Sequence, residues 1–190
     1  QLKKKLSNDI FKSICEQSKI ILYTPTWRPY DYDFPILNMP NFSIQKFDTW
    51  LQINNYYFAY TLHPNSSMVN SIPYDTERIK FINTSNLNLF DINEFMLEVD
   101  VLINDYSTTS TDFSILNKPQ LFYMPDYNKY RDIKGFLSEF RTEMPGREIV
   151  NYDDLIDSLS YINSNKNGYL SDYHNKIMND QLVSSYTNNQ

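Results

Sequence analysis

The stretch EVDVLINDYSTTSTDFSILNKPQLFYMPD, residues 98–126, decides the fold. Within it, Val99–Ile103 is a short apolar run with β-branched residues, the mark of a buried strand. The run ends in Asn104-Asp105-Tyr106 and a hydroxyl cluster, Ser107-Thr108-Thr109-Ser110-Thr111. Asp112, Phe113, Ile115 and Leu116 then give a short helical pattern, and a second buried strand, Gln120–Met124, is closed by Pro125-Asp126. Strand, polar turn, helix, strand is the skeleton of a βαβ unit.

A helix that opens at such a turn leaves backbone N–H groups without partners and carries partial positive charge there, so an anion is a favoured visitor. Nucleotide sites usually crowd glycines at this point. This chain has three glycines in all, none of them here. A phosphate held at the turn would be gripped by hydroxyls and N–H groups instead. The plain structural alternative is that Ser107, Thr109 and Asp112 cap a helix, since Thr109-x-x-Asp112 has capping-box spacing.

Outward from this unit the same alternation continues. Lys19–Tyr23, Tyr56–Leu62 and Ile79–Asn83 read as strands, and Glu148–Val150 as a last short one. Ser43–Asn54 reads as a helix with Ile44, Phe47 and Leu51 inward. Asp91–Val99 is a helix with Asn88 or Asp91 near its N-cap, and Tyr152–Ile162 one with Leu155, Ile156 and Leu159 buried. Leu2, Leu6, Ile10 and Ile14 fall four apart, which predicts an amphipathic helix over Leu2–Ser18 holding a buried, inert Cys15. Five strands alternate with helices before the last one, so the fold class is α/β, with a doubly wound, mostly parallel sheet and a ligand crevice at the strands' C-terminal edge.

Three polar elements follow strands and reach that edge. Thr26 and Arg28 come after the first strand, with Trp27 between them read as a core anchor. His63 ends the second strand, held extended by Pro64. The Asp105–Thr109 turn ends the fourth. A histidine at a strand tip suits donation to a phosphate oxygen, while a lone histidine such as His174 is read as structural.

The bulk numbers narrow the partners. With 190 residues the chain can bury one good core. Its formal net charge of −6 argues against a general nucleic-acid surface, though not against a locally held phosphate. One cysteine leaves no internal disulfide, and no apolar run approaches the ~20 residues needed to span a bilayer. No His/Cys/Asp cluster has metal-ligand spacing, so neither a tightly bound metal nor a cofactor is expected.

The wording of the central stretch adds a resemblance. Asp100-Val-Leu-Ile-Asn-Asp-Tyr-Ser107, Asp112-Phe113, Lys118-Pro-Gln-Leu-Phe-Tyr-Met-Pro-Asp126 and Tyr130-Arg-Asp132 closely resemble the donor-binding half of the CDP-glycerol glycerophosphotransferase family. Leu22-Tyr-Thr-Pro-Thr-Trp-Arg28, His63-Pro64, Gly135-Phe136 and the turn Met144-Pro145-Gly146 agree with it, in family order. The tail departs: Asn179-Asp180-Gln-Leu-Val-Ser-Ser185 lacks the family's glycine and arginine, which puts a donor contact from the tail in doubt.

The resemblance implies the Rossmann-like C-terminal lobe of a GT-B-type transferase, too short to be the complete two-lobed enzyme. Residues 1–19 would be a linker helix from the missing N-terminal lobe, 20–165 the nucleotide-donor-binding domain and 166–190 a C-terminal helix. The implied reaction moves glycerol phosphate from CDP-glycerol to the terminal hydroxyl of a teichoic-acid-like or capsular polymer acceptor, releasing CMP. His63, Ser107 and Thr108 are then assigned to the diphosphate, with Thr26 and Thr109 beside them. Arg28 is placed on the same charge and, with His63, is the catalytic assignment; Asp105 orients the turn, and Asp112 caps the helix. The general base is expected in the other lobe. The resemblance also implies a cytoplasmic protein, peripheral at the inner face of the cell membrane. The run Lys3-Lys4-Lys5 is a candidate contact for that surface, with simple solvation the alternative. Rival readings are a GT-B transferase using CDP-ribitol or a nucleotide sugar, an isolated nucleotide-binding module without turnover, and a response-regulator-like domain, the last weakened by the absence of a receiver's acidic cluster.

Overall fold

In the computed structural model the described residues are 18–30, 35–62, 76–82, 92–136 and 140–173. The expected linker helix with Cys15, the Asn88 or Asp91 cap, His63, His174 and most of the tail lie outside them. Six parallel strands form one sheet in the order β3-β2-β1-β4-β5-β6: β1 Lys19–Tyr23, β2 Tyr56–Thr61, β3 Ile79–Ile82, β4 Val101–Asn104, β5 Gln120–Tyr123 and β6 Arg147–Ile149. The helices are α1 Ile44–Asn54, α2 Ile92–Met96, α3 Thr109–Ser114, α4 Tyr127–Lys134, α5 Phe140–Glu143 and α6 Tyr152–Ser164. A 3₁₀ turn occupies Pro35–Asn38, and 166–173 are again helical.

Strand alternation divides the core into two layers. Ile21, Tyr23, Tyr56, Phe58, Tyr60, Val101, Ile103, Leu121 and Tyr123 face α1 and α6 on one side. Ile20, Leu22, Ala59, Ile82 and Leu102 face α2 and α3 on the other, meeting Phe95, Met96 and Phe113. The first layer is aromatic: Phe47 lies edge-on to Phe58 at 5.2 Å, and Trp50 stacks on Tyr56 at 5.5 Å. A buried ring of this size contributes about 1.5–3 kcal/mol relative to its exposed state. Tyr169, from the helical segment 166–173, is buried in the same layer. Its hydroxyl donates to the Gln120 carbonyl and accepts from Arg147 N at 2.9 Å, so this segment packs as part of the domain.

The helix starts follow from capping chemistry. Ser43 Oγ accepts from Lys46 N, and Asn151 Oδ1 accepts from Asp154 N at 2.9 Å, each satisfying a donor of the first turn. Replacing Asn151 with alanine is expected to cost about 1 kcal/mol, read as a lower urea midpoint with an unchanged m-value. At the other end of α1, Asn55 adopts the left-handed conformation (φ 57°) that ends a helix without a glycine. Lys118, between α3 and β5, donates to the carbonyls of Leu97 and Val99 at 2.7 Å each.

The strand order is the one in which β1 and β4 are neighbours while their following connections depart to opposite sides. That is the topological switch point, where ligands of open α/β sheets sit.

Candidate functional site

Two segments meet at the switch point, the loop after β1 and the turn between β4 and α3. Thr24 N extends the ladder to Ile103 O at 3.2 Å, and Thr24 Oγ1 donates to Asn104 Oδ1 at 3.3 Å. Asn104 is fully buried and its Nδ2 donates to Ser107 O at 3.1 Å, closing the turn from inside. Asp105 is also fully buried. Its carboxylate accepts from Thr26 N (2.9 and 3.1 Å), Thr26 Oγ1 (2.6 Å), Arg28 Nη1 (2.6 Å) and its own neighbour Tyr106 N (2.6 Å). Five hydrogen bonds from four donors thus tie the Asp105 carboxylate to the loop after β1 and to its own turn.

Arg28 sits differently from its reading as a ligand for diphosphate charge. Its side chain is inaccessible to solvent. Nη1 donates to Asp105 and to the Thr26 carbonyl at 2.6 Å, while Nε and Nη2 form a two-point pair with Asp126 at 2.8 and 3.0 Å. Each nitrogen of the guanidinium thus points into the fold, and the group is a strut between β1, β4 and β5. The physical reason is charge: a buried arginine collects the nearest carboxylates, and two lie at adjacent strand tips. Burial would lower its pKa, but the Asp126 hydrogen bonds and the Asp105 charge raise it well above the ordinary value. Thr26 also directs its hydroxyl proton inward, to Asp105.

The hydroxyl turn is only partly self-satisfied. Ser107 Oγ lies 2.9 Å from Thr109 Oγ1 and accepts from Thr109 N at 3.3 Å. Thr108 occupies the N-cap position of α3 without a side-chain cap bond, and it is exposed. The capping box expected of Thr109 and Asp112 does not form. Asp112 stands exposed in the first turn of α3, and Ser107 supplies the local acceptor, because the helix begins one residue earlier than the box requires. Ser107, Thr108 and Thr109 are left as a row of hydroxyls at the rim.

Asp126 is the residue sequence reasoning passed over. Its carboxylate accepts from Arg28, from Tyr30 OH (2.9 Å) and from Tyr106 OH (2.9 Å). Burial alone would push its pKa up; the Arg28 hydrogen bonds and charge, with the two hydroxyls, hold it below the usual carboxylate value. An available signal was an aspartate just past each of two adjacent parallel strands, with an arginine past a third. Tyr106 stacks on Tyr130 at 4.1 Å, and Phe136 covers both. Trp27, expected in the core, is half-buried outside it, with the Lys134 ammonium 5.4 Å over its ring.

Beside this network opens a cleft of about 460 Å³ lined by Tyr30, Asp126, Tyr127, Lys129 and Arg141 among others. The Lys129 ammonium lies 3.9 Å over the Tyr30 ring, and Arg141 lies 4.4 Å over Tyr127 while pairing with Glu148. Hydroxyls at the switch point and cations along the adjoining cleft together suit an anionic ligand with a planar part.

Sequence comparison places this geometry. The profile of CDP-glycerol:poly(glycerophosphate) glycerophosphotransferases matches residues 6–188. The chain belongs to this family. It is 34% identical over 175 residues to the teichoic acid glycerol-phosphate primase of Bacillus subtilis (strain 168), covering 92% of this chain and 43% of that protein. It is 31% identical over 159 residues to the teichoic acid glycerol-phosphate transferase of Staphylococcus aureus (strain NCTC 8325 / PS 47), covering 80% of this chain and 38% of the relative. The chain thus spans about two fifths of the length of these glycerophosphotransferases. Among solved structures, the wall teichoic acid polymerase TagF superposes with a TM-score of 0.66 at 24% identity, over 93% of this chain and 40% of TagF. A UDP-GlcNAc 2-epimerase from Neisseria meningitidis superposes at 0.54 and 16% identity, over 96% and 48%. Both share the fold, a Rossmann-like lobe of the GT-B kind.

Proposed function

We propose that this chain is the donor-binding lobe of an enzyme that transfers glycerol phosphate from CDP-glycerol to the terminal hydroxyl of a teichoic-acid-like or capsular polymer. The observation that carries the reading is the hydroxyl row Ser107-Thr108-Thr109 standing at the β1/β4 switch point of a family member. Crystals of one TagF variant were soaked with CDPG, which supports CDP-glycerol as the donor. Glycerol-phosphate enzymes match this chain at 27–34% identity and three ribitol-phosphate polymerases at 23–29%; the ranges overlap, and glycerol as the cargo is supported by the upper end, two glycerol-phosphate primases at 34%.

In the reaction the acceptor hydroxyl attacks the phosphorus that bears glycerol. The bond from that phosphorus to the oxygen of the CMP phosphate breaks, and CMP leaves with the electron pair. The acceptor proton passes to a base that we place in the facing N-terminal lobe. Ser107 and Thr108 donate to diphosphate oxygens and Thr109 braces Ser107, while His63, after β2, stabilises the charge that builds on CMP. This is positional and electrostatic work. Arg28, Asp105 and Thr26 hold the turn in place and do not touch the donor. CDP-glycerol enters as substrate, and the scheme uses no resident metal or cofactor. The enzyme works at the inner face of the cell membrane, as a peripheral protein; no helix among the described residues is long and apolar enough to cross a bilayer.

Calorimetric titration with CDP-glycerol, CDP-ribitol, CMP and a UDP-sugar tests this. The wild type is expected to prefer cytidine ligands, and His63→Ala and Ser107→Ala each to weaken CDP-glycerol by about 10- to 100-fold, the range for a hydrogen bond to a charged group. Preference for the UDP-sugar would overturn glycerol-phosphate transfer, and preference for CDP-ribitol would move the cargo.

A further inference from the structure

Asp126 reaches the hydroxyl turn by two independent routes. Through the two-point pair with Arg28 it fixes the guanidinium whose third nitrogen holds Asp105 at 2.6 Å. Directly, it accepts the Tyr106 hydroxyl at 2.9 Å. Tyr106 immediately precedes Ser107 and is held at three points: its amide on Asp105, its ring on Tyr130, its hydroxyl on Asp126. Moving Asp126 therefore displaces both residues on the N-terminal side of the hydroxyl row. Arg28 with two carboxylates leaves one net negative charge, an arrangement unsuited to gripping a diphosphate and suited to holding backbone. Tyr30, which also donates to Asp126, lines the neighbouring cleft, so one carboxylate sets the geometry of the turn and of the cleft wall.

We propose that Asp126 is a positioning residue for donor binding: it holds the Asp105–Thr109 turn, through Arg28 and Tyr106, in the geometry that presents Ser107 and Thr108 to phosphate oxygens. The proposal deepens the donor-lobe reading, and its two readouts separate the fates of the two. Amide hydrogen exchange on the full chain compares wild type with Asp126→Asn, which keeps the shape and removes the charge. Ser110 N and Thr111 N, bonded to the carbonyls of Ser107 and Thr108 at 3.2 and 2.9 Å, report the turn. Leu155 N, bonded to Asn151 O at 3.1 Å, reports the rest of the domain.

Exchange at Ser110 and Thr111 is expected to speed up by about tenfold or more with Leu155 nearly unchanged, the signature of a local opening. Equal acceleration at all three sites, or none, would overturn the positioning role and leave an ordinary fold-holding pair. Affinity for CDP-glycerol is expected to fall by up to about 100-fold, the cost of ångström-scale misplacement, with partial rescue in Asp126→Glu. If the wild type takes up no CDP-glycerol, the donor reading falls and the exchange pattern still decides the positioning role. If Asp126→Asn does not fold, Tyr106→Phe and Tyr30→Phe remove one hydroxyl each without stranding a charge. Faster exchange at the turn in Tyr106→Phe is then the supporting result, and its absence the overturning one.

Discussion

Arg28→Met is expected to destabilise the domain by about 3–5 kcal/mol, the cost of removing one partner from a buried ion network. Methionine keeps most of the stem volume, so the loss reports charge and hydrogen bonding. Asp105 would be left with a side chain shut off from solvent and no cation, and Asp126 would lose its two-point partner. For a chain of this size the loss corresponds to a Tm lower by roughly 6–20 °C. The pH dependence identifies the cause. Asp126 has a folded pKa depressed below its ordinary 3.8, so its contribution in the wild type is complete above that value and is withdrawn as pH falls through the lower folded value. The gap between wild type and Arg28→Met should therefore be widest near neutrality and narrow below about pH 4. A gap constant from pH 7 to pH 3 would show that the Asp126 charge is not the cause, and a loss under about 1 kcal/mol would show that the network is dispensable.

Gly146→Ala is the second large effect, about 3 kcal/mol or roughly 6–12 °C in Tm. An added methyl at Gly146 would collide with the Gln120 carbonyl, with its carbon at 2.8 Å, and press on the Phe122 ring at 3.1 Å. The obstacle is the backbone of the neighbouring strand, so β6 must move away from β5. The same carbonyl takes the Tyr169 hydroxyl, which couples the shift to the helical segment 166–173. Gly168→Ala is the matched control. Its methyl meets side chains and no backbone: Asn165, whose Oδ1 accepts from Gly168 N at 3.0 Å, and the Tyr161 hydroxyl, bonded to Asp172; alanine's helix preference offsets the cost of shifting them. A change within about 1 kcal/mol is expected there. Equal losses at both glycines would indicate a general intolerance of added volume.

Much of the fold was legible because its signals are local. The strand Lys19–Tyr23 matches its sequence reading at both ends, and the others differ by one or two residues. These runs are apolar enough to need burial on both faces, and they are too short for helices. Helix α1 is equally readable: Ser43 caps it, and Phe47 and Leu51 fall one turn apart on the buried face. Trp27 misled because size and hydrophobicity argue for a core position, whereas its place in a loop past β1 leaves it against a lysine at the rim. The Thr109–Asp112 spacing misled in a related way, since a capping box requires the helix to start after Thr109, and here the start is set by how β4 hands the chain to α3.

By itself the sequence determined the α/β class, the position of the polar turn after β4 and the family, because each is written in short contiguous runs. Only the tertiary structure decided what Arg28 and Asp126 do. They stand 98 residues apart, and whether an arginine faces a ligand or a carboxylate depends on which strand tips become neighbours. Strand order is a property of the packed sheet: β1 pairs with β4, and β4 with β5, so three charges from distant parts of the chain are brought within hydrogen-bonding reach. Once there, the cost of leaving any of them unpaired out of water holds them together and turns a presumed ligand into a strut.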